Sequence, residues 1–535
     1  MKPKQIISVV AGAALLLSLT ACGKTSENVA TVSPTAAASE STAATVETTA
    51  DETAFVFSDG GITVAEGSSN GYEYEGTALT INGSGTYLLS GSCADGSVKV
   101  KKGTTDVTLI LNGLTLTSSD TAPIACNKST EVTIVAAAGT ENTLTDAAAN
   151  NDDTNPANEN AENAVIKCKD GSNVTLCGTG TLTLNANGKN GIKSGASTTE
   201  EGEASLTLRE LTLNINAAVN DAVNAKQYLA VESGTLNLAA ADDALHCDLT
   251  MDIGAEGTDG PTIVITEAYE GIEAATLNIR SGNISIFCED DCLNAANSDL
   301  GSYDFSMNIY GGTIVAYTAA GDGFDSNGSL TISGGSVTVW SGNAADNQPL
   351  DADGTISITG GTVLAAGGSN GMGMNLSTTQ AYVTFGSVGM GGMGGQPDSF
   401  GGGQQPPQSD NTNGQQPPQG QEPPQAGTGG QQPSRPDGSG QNGTPPELPD
   451  GTQPQQPNGN GFGNTLVLSG GTVTVSDASG NTLYVGEAPC NASFLFFCSA
   501  ELTADSDYTL SADGSEATAT ASVGTTTSQL ADGRP

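Results

Sequence analysis

A short acidic turn carrying one apolar residue returns eight times between residues 189 and 374, and this repeat limits the folds open to the chain. The instances are KNGIKS (189–194), NDAVNA (220–225), DDALHC (242–247), YEGIEA (269–274), DDCLNA (290–295), GDGFDS (321–326), NQPLDA (347–352) and SNGMGM (369–374). Weaker versions, TAPIAC (121–126) and NAVIKC (163–168), precede them. The apolar anchors are Ile192, Val223, Leu245, Ile272, Leu293, Phe324, Leu350 and Met372, separated by 31, 22, 27, 21, 31, 26 and 22 residues. Between turns, hydrophobicity alternates with period two and breaks at a Gly pair, as in 330–340 (LTISGGSVTVW) and 356–364 (ISITGGTVL). A unit this small cannot bury its own apolar face, so neighbouring units must stack and share one core. The expected fold is all-β, a right-handed parallel β-helix in which strand, Gly turn, strand, acidic turn and strand make one coil. A β-sandwich competes, but has no reason to return one motif in one register.

The small residue two after each anchor (Ser194, Ala225, Cys247, Ala274, Ala295, Ser326, Ala352) suits a tight corner. It also accounts for several cysteines as small buried hydrophobes. Outside the repeat, composition sets the boundaries. Residues 1–21 read as a lipoprotein signal peptide: Lys2 and Lys4, an apolar stretch, then Leu19-Thr20-Ala21 before Cys22. This resembles the bacterial lipobox, so Cys22 is the expected lipid attachment site and the rest of the chain is expected outside the cytoplasm, anchored to the membrane only through that lipid. Residues 22–54 read as a flexible Ser/Thr/Ala/Glu tether, 55–387 as the β-helix, 388–463 as a disordered Gly/Pro/Gln-rich insertion, 464–510 as a small C-terminal β element and 511–535 as a disordered tail.

Stacking at about 4.8 Å turns equal repeat positions into columns. One column, two residues before the anchor, reads Asn190, Asp221, Asp243, Glu270, Asp291, Asp322, Gln348 and Asn370. The position after the anchor adds Asn224, His246, Glu273, Asn294, Asp325 and Asp351. Like charges so spaced repel by roughly 1 kcal/mol in water and about 3–4 kcal/mol at an effective dielectric of 20. Something must offset this, and Ca²⁺, which takes carboxylate and amide oxygens, is the simplest candidate. The plainer alternative is a solvated edge whose Asx side chains cap turns. A second column is aromatic: aligning 279–287, 309–317 and 332–340 superposes Phe287, Tyr317 and Trp340, with parity pointing all three outward as an expected sugar platform. The net charge of −43 disfavours nucleic acid and anionic lipid as partners. Protein partners stay open.

The repeat, with its NDAV, DDAL, YEGI and GDGF turns followed by GGT strands, resembles a clostridial family of extracellular carbohydrate-binding β-helix proteins over residues 75–385. Its type member is a calcium-containing binder of cellulose and acidic plant sugars, and its fold is similar to polysaccharide lyases. The resemblance implies calcium ligands drawn from Asn220, Asp221, Asn224, Asp242, Asp243, Glu270, Glu273, Asp290, Asp291, Asn294, Asp322 and Asp325. His246, Cys247 and Cys292 depart from the pattern within two of those turns. The implied function is calcium-stabilised, non-catalytic binding of plant or acidic polysaccharide at the cell surface, with no catalytic residue assigned. Two alternatives remain. One is a polysaccharide lyase, for which Lys193 and Lys226 would be the nearest bases; the most acidic coils hold almost no cation except Arg280, which lies on a Gly turn. The other is a structural adhesin or spacer.

Overall fold

The computed structural model describes residues 52–66, 70–198, 204–342, 347–368, 375–386, 466–512 and 514–527. The signal peptide, Cys22, most of the tether, the 388–463 insertion and the anchor Met372 lie outside the described residues. Among those described there is only strand and irregular chain, and no helix is long and apolar enough to cross a membrane.

Three strands make each coil, and each pairs in parallel with its counterpart one coil on. Face one includes Ser205–Leu208, Tyr228–Val231, the second half of Leu245–Ile253 and of Ile272–Ile279, Ser306–Ile309 and Ser329–Ile332. Face two includes Thr212–Ala217, Thr235–Ala240, Thr262–Glu267, Asn283–Cys288, Thr313–Thr318 and Ser336–Trp340. Face three carries the anchors: Ile192 pairs with Val223, Val223 with Leu245, Leu245 with Ile272, Ile272 with Leu293, Leu293 with Phe324, and Phe324 with Leu350. This is the register the repeat specifies, because slipping by one residue would turn every inward Ile, Val and Leu to solvent.

Inside, the alternating residues of all three faces form one continuous core. Each such side chain fully buried stabilises by about 1.5–3 kcal/mol. Before the anchor Ile272 only glycine fits: a Cβ on Gly271 would lie 2.3 Å from the Cys292 carbonyl oxygen. At the corner between faces one and two, Gly312, Gly335 and Gly361 have φ of +88°, +84° and +79°, which only glycine adopts freely. All nine cysteines among the described residues are buried and unbridged.

The ends differ from the expected boundaries. The first strand, Glu52–Ser58, starts inside the expected tether and pairs in parallel with Gly85–Cys93. At the other end, the stretch expected to be a disordered tail continues the β structure to Thr527. Ser515–Thr520 extends an antiparallel sheet beside Asp507–Ala512, and Ser522–Thr527 pairs with Asn375–Gly386. Alternating Thr and Ala buries little, so hydrophobicity does not reveal it; the strand is held by its ladder and by a turn at Gly514 with φ +79°.

Phe494–Cys498 closes the stack, running antiparallel to Thr362–Gly367 and Asn375–Gly386. All five of its residues are buried because both of its faces are covered. Phe494, Phe496 and Cys498 face the coil core, whereas Leu495 and Phe497 join a second core against the C-terminal sheet.

Candidate functional site

The turns bring the predicted acids together at one edge of the stack. Three of them bridge coils: Asp221 Oδ1 accepts the Asp243 N–H at 3.3 Å, Asp291 Oδ1 the Asp322 N–H at 2.7 Å, and Asp322 Oδ1 the Gln348 N–H at 2.6 Å. Turn capping is therefore real, yet it occupies only part of each carboxylate. Burial, reinforced by neighbouring acids, pushes Asp291 up to about 8, Glu270 and Asp322 to about 7 and Asp325 to about 6. Carboxylate oxygens of Asp322, Asp325 and Asp351 lie within 4.8 Å of one another. No salt bridge among the described residues reaches these three. Asp290 is half-buried beside Asp291, Asn220 donates to Asn190 Oδ1 at 2.9 Å, and Asp242 is exposed.

The donor set suits a hard cation. Asn294 donates to Glu270 Oε2 at 3.0 Å and Asn224 donates to Asp221, which leaves Asn294 Oδ1 and Asn224 Oδ1 buried with no hydrogen-bond partner. Buried carbonyl oxygens of this kind beside carboxylates are the donor type that a hard cation accepts.

His246 changes the chemistry at its own level. Its Nδ1 lies 2.8 Å from Asp243 and 2.7 Å from Glu273, and its Nε2 lies 3.1 Å from Asp248. Burial alone would lower its proton affinity, but the three carboxylates outweigh burial and hold the ring as an imidazolium. The chain thus supplies its own cation between Asp243 and Glu273. On the N-terminal side of this level, the same outward column reads Lys99, Ala125, Lys167, Lys193 and Asn224 in register. One column runs from basic to acidic, with His246 at the reversal.

The aromatic column pairs in register, Phe287 with Tyr317 and Tyr317 with Trp340, and the first two rings lie 5.5 Å apart. As a three-ring surface platform, however, the expectation is corrected. Phe287 is 43% exposed, Tyr317 is half-buried and Trp340 is 1% exposed. Parity does turn Trp340 away from the coil core, but the C-terminal sheet folds over that face, and Trp340 packs in the second core with Leu364, Leu495 and Phe497.

Face one holds a groove that no local motif announces. The longer coils place their extra residues at its two edges, as the loops 254–261 and 296–305. Tyr228 lines cavities of about 540 Å³ and 500 Å³. Its hydroxyl donates to Asp252 Oδ2 at 2.8 Å, Arg280 reaches Asp252 Oδ1 at 3.6 Å, and the guanidinium lies 4.9 Å from the Tyr310 ring centre. The unequal anchor spacings were the only sequence signal.

Coils of parallel strands thus carry an acidic edge and a cleft on an adjoining face. Comparison with known proteins gives the class: a family described as "Carbohydrate-binding domain-containing protein" matches residues 75–371, and this chain belongs to that family. A carbohydrate-binding domain-containing protein of Acetivibrio thermocellus is 37% identical over 109 residues, which is 20% of this chain and 37% of that protein's length. Among solved structures, a gadolinium derivative of the polysaccharide lyase-like protein from C. thermocellum matches with 22% identity, covering 61% of this chain and 96% of that one, at a TM-score of 0.30.

Proposed function

We propose that this protein is a cell-surface lipoprotein, anchored through Cys22, that binds plant or acidic polysaccharide without cleaving it, on a right-handed parallel β-helix stiffened by calcium. The observation that carries the carbohydrate reading is the family match over residues 75–371. Calcium is supported by the buried, partnerless Oδ1 of Asn294 among Glu270, Asp291 and Asp325, and by the Asp322, Asp325 and Asp351 cluster. Asn220, Asp221, Asn224 and Asp290 complete the proposed ligand set, while His246 takes the place of an ion between Asp243 and Glu273. When bound, calcium supplies charge neutralisation along the column and a bridge to a sugar carboxylate, which a surface of net charge −43 would otherwise repel. Phe287 and Tyr317 remain as a two-ring stacking surface.

The test is retention of the protein on polygalacturonate and on cellulose, first with calcium and then with chelator, while ultraviolet absorbance of unsaturated products is followed. Retention with calcium, release by chelator and no product support the reading. Absence of retention in both conditions refutes carbohydrate binding, and accumulating product makes the protein a lyase. Cys22→Ser should release the protein from the membrane fraction into the medium.

A further inference from the structure

The groove on face one carries an inference of its own, resting on the carbohydrate-binding reading and naming a ligand class for a second surface. On this face outward residues of successive coils, Ala230, Asp252, Asn278 and Asn308, stand in register, and the first two line the larger cavity. Asn308 donates to Asn278 at 3.1 Å and Asn278 to Asp252 at 3.0 Å, so this ladder is fixed before any ligand arrives. The 254–261 loop forms one wall. The other carries Tyr303, whose hydroxyl is 3.0 Å from Thr276 Oγ1 and whose ring is 5.4 Å from Phe305. Two cavities of about 540 Å³ and 500 Å³ meet at Tyr228. Each is in the range of small-molecule sites, roughly 300–1,000 Å³.

The polar groups define the ligand. The larger cavity is lined by Glu232, Asp252 and Asp259 against one cation, Arg280. A uronate carboxylate would enter a net negative field there. A neutral sugar would not: its hydroxyls can donate to the carboxylates and accept from the guanidinium, whose 3.6 Å approach to Asp252 leaves donors free. Tyr310 is 45% exposed beneath the Arg280 guanidinium and offers a ring edge at the rim. Tyr228, with its hydroxyl held by Asp252, divides the groove in two.

We propose that this groove binds a neutral polysaccharide, with Arg280, Asp252 and Tyr228 as its polar contacts and Tyr310 at its rim. None of these residues belongs to the acidic column, so binding here does not need calcium.

The experiment is calorimetric titration of the full chain, first stripped of metal and then with calcium added, with a soluble neutral β-1,4-glucan oligosaccharide and separately with an oligogalacturonate. Arg280→Met, Asp252→Asn and, as a control on the exposed C-terminal sheet, Val485→Ala are compared with the parent, with the thermal midpoint as a folding control. The expected result is metal-independent binding of the glucan, weakened about tenfold by Arg280→Met or Asp252→Asn and unchanged by Val485→Ala. Should Arg280→Met fail to fold, Asp252→Asn, which keeps the side-chain shape, carries the test. Glucan binding that neither groove variant changes overturns the groove assignment and leaves the carbohydrate reading intact. So does calcium-dependent binding of the oligogalacturonate alone. Absence of binding to either sugar, with or without calcium, overturns both.

Discussion

Metal-free protein should become less stable as the pH rises from about 4 to about 8, opposite to the usual behaviour of paired carboxylates. A carboxyl group whose folded pKa is raised holds its proton more tightly folded than unfolded. Its contribution is complete below the unfolded value of about 4 and is lost as pH rises through the folded value. Asp325, Glu270, Asp322 and Asp291 rise to about 6, 7, 7 and 8, so the loss falls between about pH 4 and about pH 8. Each tenfold change in proton affinity is worth about 1.4 kcal/mol. These groups are partly solvated, and screening reduces the full effect. Even one tenfold change apiece totals roughly 5 kcal/mol, against about 5–15 kcal/mol for a whole domain. For several hundred residues that lowers the thermal midpoint on the order of 5 °C. The assay is thermal unfolding by far-ultraviolet circular dichroism of metal-stripped protein across this range, repeated with calcium. Calcium should remove most of the decline. A metal-free midpoint that stays level or rises toward alkaline pH would refute the column as a store of uncompensated charge.

Other perturbations separate the parts. Trp340→Ala should cost about 3–5 kcal/mol through the cavity left under the C-terminal sheet, read as a shifted denaturation midpoint, while glycan retention is unchanged. His246→Ala leaves Asp243, Asp248 and Glu273 without their cation and should destabilise metal-free protein by about 3–5 kcal/mol; calcium should recover part of this, seen in urea denaturation with and without the ion. Asp325→Asn combined with Asp351→Asn should weaken calcium binding at least about tenfold by calorimetry, yet raise the thermal midpoint in chelator because repulsion is relieved. Thiol titration should find the nine described cysteines unreactive in the native chain and reactive in denaturant.

What the sequence made readable was register. The anchor series from Ile192 to Leu350 pairs residue by residue, because inward positions repeat one chemical demand and a slip would expose all of them. Phe287, Tyr317 and Trp340 align for the same reason. Exposure was not readable. Whether an outward residue meets water depends on chain that returns from far away, and the strands covering Trp340 follow it by more than a hundred residues. The groove was hidden for a related reason. Tyr228, Asp252, Arg280 and Tyr310 come from different coils, and only stacking makes them neighbours.

A shared core leaves the outward positions free to differ from coil to coil, and the column beside the anchors uses that freedom to reverse its charge. Lys167 and Lys193 stand side by side in register; burial first, then the neighbouring Lys193 charge, lowers Lys167 to about 8. Beyond Asn224 comes His246, then Glu273, Asn294 and Asp325. The N-terminal coils can relieve their repulsion by losing a proton near neutral pH. The C-terminal coils relieve theirs by gaining one, or by holding a cation. His246 stands where these two solutions meet and satisfies the carboxylates on either side with a single ring. On the calcium reading, the need for metal therefore falls on the coils from Glu270 to Asp351, which contain the partnerless Asn294 oxygen and the three-carboxylate cluster. The inward residues of those coils are apolar, as are those of the lysine-bearing ones, so on the same reading the metal requirement can be moved or removed by outward substitutions alone, without disturbing the stack.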